Sequence, residues 1–194
     1  MRATDNWSGV RWRGHRLWQN LLDLNVITEH LFSARPAVVV ETGTYHGGSA
    51  ICYADLMALA GVTPDVVSID IDPMATPAHP GVHYFMGRSS TDSAVAPAVA
   101  AHVAGRRAFV ILDSDHCAEH VYNELVLYAP LVAPGDYVLV QDGSLLTTHH
   151  LPIGETPVGG IYRFLEASHD FRIDDAKSPF PTTAHLHGWL QRTR

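Results

Sequence analysis

The sequence has little of what marks several classes of protein. Its 194 residues include two cysteines, Cys52 and Cys117, in no CxxC spacing, so no disulfide framework is expected. No apolar run approaches the roughly 20 residues that a membrane helix needs, and the N-terminal stretch, rich in arginine and tryptophan, has no signal-peptide core. A net charge of -7, with one small basic cluster, argues against a nucleic-acid-binding face. We therefore expect a cytoplasmic protein that binds neither nucleic acid nor membranes.

Apolar residues are abundant enough to build a core. They make up 46% of the chain, and we find no internal repeat and no low-complexity linker. This length and composition predict one domain over residues 1–194, with a helical lead-in over residues 1–35. They leave open whether the protein forms a homo-oligomer.

Short β-branched segments alternate with helical patterns along the chain. After a helix at 17–32, strands are predicted at 37–41, 65–72, 82–87, 108–113 and 136–142, with helices at 49–60, 94–104 and 117–131. Ser49 and Gly61 are the expected caps of the second helix. A helix at 161–167 then precedes two strands, 171–176 and 184–192, with no full helix between them. The pattern predicts an α/β fold, a doubly wound, Rossmann-like, mostly parallel seven-stranded sheet with a C-terminal antiparallel hairpin.

The stretch ETGTYHGGSA, residues 41–50, follows the first of these strands and predicts a ligand-binding turn. A dinucleotide fingerprint would need GxGxxG, whose close-spaced glycine pair is missing here. Glu41, Gly43 and Gly47 instead form the E/DxGxxxG arrangement of S-adenosylmethionine-dependent methyltransferases, in which the amino-acid part of the ligand lies over the turn. An ordinary strand-to-helix turn is the structural alternative.

Two later strand ends carry the chemistry that such a ligand requires. Asp70 ends the second strand, where a carboxylate can accept both ribose hydroxyls. Gly87 and Ser89 follow the third strand, where the adenine edge would lie. The predicted S-adenosylmethionine contacts are Glu41, Gly43, Thr44, Tyr45, Gly47, Ser49, Asp70, Ile71, Gly87, Ser89 and Asp113.

Acidic and amide side chains meet at the next two strand ends. Asp113, Asp115 and His116 end the fourth strand, and Gln141 and Asp142 end the fifth. The carboxyl ends of neighbouring parallel strands share one edge of the sheet, so these oxygens should converge. Such a set suits Mg²⁺ or another hard divalent cation. The alternative is that the acids cap helices and turns.

These motifs resemble the cephalosporin hydroxylase family, also labelled rhamnosyl O-methyltransferases. The resemblance rests on ETGTYHGGSA, SIDID, LDSDH, HVYNELVLYAPLVAPGDYVLVQDG and the closing FRID and GWLQR, and it covers most of the chain. This family is similar in turn to the Mg²⁺-dependent catechol-type O-methyltransferases. The resemblance implies a metal site of Asp113 or Asp115 with Gln141 and Asp142. Where related sequences read Glu-Asp-Gly, this chain has Gln141-Asp142-Gly143, which removes one charge from that site.

The resemblance also implies the reaction, transfer of a sulfonium methyl group to a hydroxyl oxygen of a small-molecule acceptor, either a sugar or a phenol. A bound cation would orient that hydroxyl and lower its pKa. His116, at the position of a basic side chain in the catechol-type enzymes, is the expected general base, with Asp113 beside it as a catalytic residue. His149 and His150, in the loop after the fifth strand, are expected to face the substrate.

Two alternatives come from other functional classes. The family name associates it with antibiotic hydroxylation and methoxylation, so the chain could be a component of such a system in secondary metabolism. It has no clear 2-His-1-carboxylate pattern for independent iron chemistry. A cofactor-binding module without activity is the second alternative, which the glutamine at position 141 keeps open.

Overall fold

The computed structural model describes residues 9–72, 75–144 and 151–194. A small hairpin, β1 (Arg11–Trp12) and β2 (His15–Arg16), precedes the main sheet. The seven strands of that sheet are β3 (Val38–Thr42), β4 (Val66–Asp70), β5 (Val82–Met86), β6 (Ala108–Leu112), β7 (Tyr137–Val140), β8 (Phe171–Ile173) and β9 (Trp189–Arg192).

The order of the strands in the sheet is β5-β4-β3-β6-β7-β9-β8. Strands β3 to β7 pair in parallel, whereas β9 runs antiparallel to both β7 and β8. The predicted fold class, a mostly parallel seven-stranded sheet closed by a C-terminal antiparallel hairpin, is thus confirmed. Among the described residues, no helix is long and apolar enough to cross a membrane.

In the described parts of the chain, five α-helices cover the two faces of the sheet: α1 (Leu21–Ala34), α2 (Gly48–Leu59), α3 (Val95–Val103), α4 (Ala118–Tyr128) and α5 (Pro157–Ala167). Successive strand residues point to opposite faces, so Val38 and Val40 of β3 pack with α3, α4 and α5, whereas Val39 packs with α1 and α2. Both faces are therefore buried, which explains why the strands are apolar at nearly every position.

The N-terminal lead-in differs from the prediction. The helix expected at residue 17 begins at Leu21, after a hairpin and an extended segment, because the Asn20 side chain caps it by accepting a hydrogen bond from the Leu22 backbone N–H at 2.9 Å. Leu21 is 61% exposed, whereas Asp23 and His30 are buried. Residues 17–19 are consequently free of the helix and lie against the sheet's carboxyl edge.

The predicted cap at Ser49 is wrong. Helix α2 begins at Gly48 and its N-cap is Gly47, whose φ of 71° is left-handed, so Ser49 lies within the first turn of the helix. A Cβ on Gly48 would lie 1.9 Å from the carbonyl oxygen of Arg16, so only glycine lets the hairpin approach this closely. At the other end Ala60 is the C-cap, and Gly61, at φ 75°, follows it.

Candidate active site

A cavity of about 620 Å³ lies at the carboxyl ends of the central strands, with the extended segment after β2 along one side. This is the edge at which ligands bind in open α/β sheets. Residues from seven parts of the chain line it: Arg16–Asn20, Gly43–His46 with Ser49, Ile69–Asp72, Ser89 with Ser90, Asp113–His116 with His120, Gln141 with Asp142, and Ala184 with His185.

The glycine turn after β3 packs directly on the end of β6. Gly43 has a φ of 88°, and a Cβ there would lie 1.9 Å from the Asp113 carbonyl oxygen. The backbone N–H of Tyr45 donates to one oxygen of Asp70 at 2.7 Å, and that of Asp72 donates to the other at 2.9 Å. Each Asp70 oxygen keeps a second lone pair, so the carboxylate is held rigidly while still able to accept hydroxyl groups.

Glu41 lies beneath this turn and does not line the cavity. Its Oε2 accepts a hydrogen bond from the Ser68 hydroxyl at 2.6 Å, and that hydroxyl is 2.7 Å from the hydroxyl of Thr44. Burial raises the pKa of Glu41 to about 7, although the hydroxyls of Ser49 and Ser68 oppose the shift. Glu41 therefore supports the turn from below.

The predicted cofactor residues divide into two groups, those that line the cavity and those that do not. Gly43, Thr44, Tyr45, Ser49, Asp70, Ile71, Ser89 and Asp113 line the cavity, whereas Glu41, Gly47 and Gly87 do not. Gly47 instead packs against Pro77, whose Cδ would lie 2.7 Å from an added Cβ. At the Ser89 end of the cavity, the buried Ser90 hydroxyl is 3.1 Å from His120 Nε2.

Asp113, His116 and Asp142 form one compact cluster. Each residue contributes a potential ligand atom that lies within 4.8 Å of the other two. His116 Nε2 is 3.0 Å from Asp142 Oδ2, and Asp142 holds the left-handed φ of 56° that aspartate tolerates better than most residues. Burial, with the neighbouring charge of Asp142, raises the pKa of Asp113 well above its usual range. The cluster thus places two acidic side chains next to each other.

Asp115 is placed differently from Asp113, although both were metal candidates. It is exposed, and its Oδ1 accepts a hydrogen bond from the backbone N–H of Cys117 at 2.9 Å, at the start of α4. That bond lowers the pKa of Asp115. Asp115 lines the cavity but is not part of the cluster that Asp113 forms.

Gln141 is only 3% exposed and is paired with another glutamine. Its Oε1 accepts a hydrogen bond from Gln19 Nε2 at 2.7 Å, and the same nitrogen is 3.4 Å from Asp113 Oδ2. Gln19 Oε1 and Gln141 Nε2 have no hydrogen-bond partner among the described residues. Sequence reasoning missed Gln19 because it assigned that position to a helix.

His185 is a second residue that sequence reasoning missed. It lines the cavity, is 1% exposed, and neither ring nitrogen has a hydrogen-bond partner in the described parts of the chain. Burial lowers the pKa of His185, with Asp23 and Asp142 opposing the shift. The ring is therefore neutral at physiological pH, with one donor and one acceptor available to a ligand.

The segment that carries His185 is fixed from two sides. The carboxylate of Asp23 accepts hydrogen bonds from the Thr183 hydroxyl and the Ala184 backbone N–H, both at 2.7 Å. A Cβ on Gly188 would lie 2.0 Å from the Val140 carbonyl oxygen, so glycine lets this segment pack on the end of β7. It was predicted as the beginning of a strand, but the strand begins only at Trp189. His149 and His150, predicted to face the substrate, lie outside the described residues.

A doubly wound sheet with an antiparallel edge, a glycine turn and an acidic cluster at its carboxyl edge defines the class of Rossmann-like methyltransferases. The structure described as cmcI-D160 Mg-SAM shares this fold, with a TM-score of 0.77, 22% identity, and coverage of 97% of this chain and 78% of that one.

The family follows from the sequence comparisons. The model of the family described as rhamnosyl O-methyltransferase/CmcI matches residues 4–193, so the chain belongs to that family. The rhamnosyl O-methyltransferase of Mycobacterium tuberculosis H37Rv is 32% identical over 96% of this chain and 79% of its own length. That of Mycobacterium leprae is 31% identical over 96% and 84%. The predicted family and enzyme class, an O-methyltransferase, are confirmed.

Proposed function

We propose that this chain transfers the methyl group of S-adenosylmethionine to a hydroxyl group of a sugar or glycosylated small molecule, assisted by a divalent cation. The observation that carries the proposal is one continuous cavity, which joins the Gly43 turn and Asp70 to the cluster of Asp113, His116 and Asp142. The names of the mycobacterial relatives support a rhamnosyl acceptor.

The residues present fit S-adenosylmethionine. Gly43 lines the cavity, and the amino-acid part would lie against its backbone. Asp70, immobilised by two backbone N–H groups, would accept the ribose hydroxyls. Ser89 would face the adenine. When bound, the cofactor would supply an electrophilic methyl group, and these residues would hold it beside the acceptor hydroxyl.

The cluster also fits a divalent cation. Asp113 and Asp142 would hold it, and the Gln141 amide oxygen has a lone pair left to join them. The raised pKa of Asp113 is a physical reason to expect positive charge here, because a cation would compensate the two half-buried carboxylates. When bound, the cation would orient the acceptor hydroxyl and make it more acidic. Asp115, committed to the start of α4, is the competing ligand.

His116 is suited to accept the proton of that hydroxyl. Its Nε2 is 3.0 Å from Asp142, and this carboxylate stabilises the imidazolium formed when the ring takes up a proton. A hard cation prefers the oxygen ligands around it, which leaves the His116 nitrogen for proton transfer.

The neutral corner made by Gln19, Gln141 and His185 is suited to the acceptor. It offers an unpaired amide oxygen, an unpaired amide N–H₂ and an imidazole with one donor and one acceptor. Sugar hydroxyls both donate and accept, so they match this mixture better than a phenol with one hydroxyl. The corner lies beside Asp142, where the reacting oxygen is expected.

The test has two parts. Calorimetry should show binding of S-adenosylmethionine and its demethylated product, and mass spectrometry should show methylation of methyl α-L-rhamnopyranoside that EDTA stops and Mg²⁺ restores. Asp113→Asn should abolish cation binding, and Asp115→Asn is the matched control. Cofactor binding without methylation of any sugar or phenol tested would favour a binding module. Loss of cation binding in Asp115→Asn alone would transfer the ligand role to Asp115.

A further inference from the structure

A second group of metal-ligating side chains lies at the opposite edge of the sheet. Asp65 precedes β4, His83 lies on β5 and His102 is in the last turn of α3. One potential ligand atom of each residue lies within 4.8 Å of the other two. The amino ends of the strands form this edge, so the group is separate from the cavity described above.

The distances are close to those that a bound metal requires. Asp65 Oδ1 is 2.8 Å from His102 Nε2 and 3.6 Å from His83 Nε2. In tetrahedral zinc sites the bonds are roughly 2.0–2.1 Å, which places neighbouring ligand atoms roughly 3.3 Å apart. Small rotations of the two rings would therefore satisfy both nitrogen–metal bonds without backbone movement.

The surroundings hold the carboxylate and leave room for a further ligand. Arg106 donates to the other Asp65 oxygen at 2.7 Å and also to the carbonyl oxygen of His102 at 2.7 Å, which fixes Asp65 relative to the end of α3. Asp65 and His83 line a groove of about 400 Å³, and His83 is exposed. Water could complete the coordination from that side.

We propose that Asp65, His83 and His102 bind a transition-metal cation of the zinc type, and that the cation clamps the end of α3 to strands β4 and β5. Two imidazoles and one carboxylate favour Zn²⁺, Co²⁺ or Ni²⁺ over Mg²⁺, which prefers oxygen ligands. This clamp is independent of the proposed methyl transfer.

Cobalt is the probe of choice, because its visible absorption reports directly on nitrogen ligands whereas zinc is silent. The full chain carrying His116→Ala and Asp142→Asn serves as the background, so that the candidate active site does not bind the probe. In this background we expect the protein to bind one equivalent of Co²⁺, which Zn²⁺ displaces and Mg²⁺ does not. Replacing the exposed His83 with alanine should abolish this cobalt binding, as should His102→Ala.

His187→Ala is the matched control. His187 Nδ1 also lies 3.0 Å from an aspartate, Asp175, but among the described residues this pair is not part of a three-residue metal-ligating group. It should leave cobalt binding unchanged. Zinc should also raise the melting temperature of the background protein and leave that of its His83→Ala form unchanged. No nitrogen-ligated cobalt in the background protein, or equal binding with and without His83, would overturn the proposal. Methyl transfer is measured separately in the wild-type chain.

Discussion

Replacing Gln141 with glutamate should change stability and metal affinity in opposite directions. The substitution keeps the oxygen that accepts from Gln19 and replaces the unpartnered Nε2 with a second oxygen. It also adds a third carboxylate beside the half-buried Asp113 and Asp142. Without a cation this should destabilise the fold, and with a cation it should strengthen binding.

The size of the first effect follows from the hydrogen bonds of Gln19. Its Nε2 is 2.7 Å from Gln141 Oε1 and 3.4 Å from Asp113 Oδ2, so those two oxygens are at most about 6 Å apart. At about 6 Å and an effective dielectric constant of about 20, two carboxylates repel by about 3 kcal/mol. Proton uptake limits the cost, because the pKa of Asp113 is already raised. We expect Gln141→Glu to lose about 1–3 kcal/mol of unfolding free energy in EDTA.

Two measurements check this prediction. Urea unfolding in EDTA should show the lower unfolding free energy. Calorimetry with Mg²⁺ should show an affinity at least about tenfold higher, because a charged ligand that adds about 1.4 kcal/mol of binding free energy raises the affinity tenfold. The double variant Gln19→Ala/Gln141→Glu controls for loss of the glutamine pair. Unchanged stability in EDTA together with unchanged Mg²⁺ affinity would refute the placement of Gln141 beside the metal.

Three further predictions concern single side chains. Asp70→Ala should weaken S-adenosylmethionine by about 1–3 kcal/mol in calorimetry, because the ribose loses a charged acceptor; tighter binding of a nicotinamide dinucleotide would contradict it. His116→Ala should lower kcat by roughly 10²–10⁴-fold with cation affinity little changed. Folding raises the pKa of Glu41 from 4.5 to about 7. Proton binding to Glu41 therefore stabilises the folded state fully below pH 4.5, and this stabilisation is lost by pH 7. Glu41→Gln should therefore gain about 3 kcal/mol relative to the wild type between those pH values in urea unfolding, whereas a constant difference would argue against a buried, protonated Glu41.

The sequence predicts the sheet well because local patterns encode it. The β-branched runs give the parallel strands, and the residue that ends each run is by necessity at the carboxyl edge. Asp70, Asp113 and Asp142 could therefore be placed at the carboxyl edge from the sequence alone, and all three line the cavity there. The same local reading placed Ser49 at a helix cap, and there it failed, because the cap is Gly47, whose left-handed φ of 71° starts the helix at Gly48.

The rest of the site depends on contacts that local patterns do not contain. Gln19 meets Asp113 and Gln141 across 94 and 122 residues of sequence. His185 reaches the cavity because Asp23, 161 residues before Ala184, anchors its segment. Neither residue has a period or motif of its own, and both stand in stretches that the patterns assign to regular elements.

The glutamine at position 141 and the segment around Gln19 are linked physically. A glutamate at position 141 could also accept from Gln19, but Gln141 leaves an N–H₂ group unpaired beside the acidic cluster. The Gln141 side chain also interacts with the buried Tyr53 hydroxyl, and Gln19 Oε1 can only accept. We infer that the neutral pair lowers the charge available to a cation and adds hydrogen-bonding groups beside the acidic cluster. A chain adapted in this way should depend more on acceptor contacts, and less on cation affinity, to place the reacting oxygen.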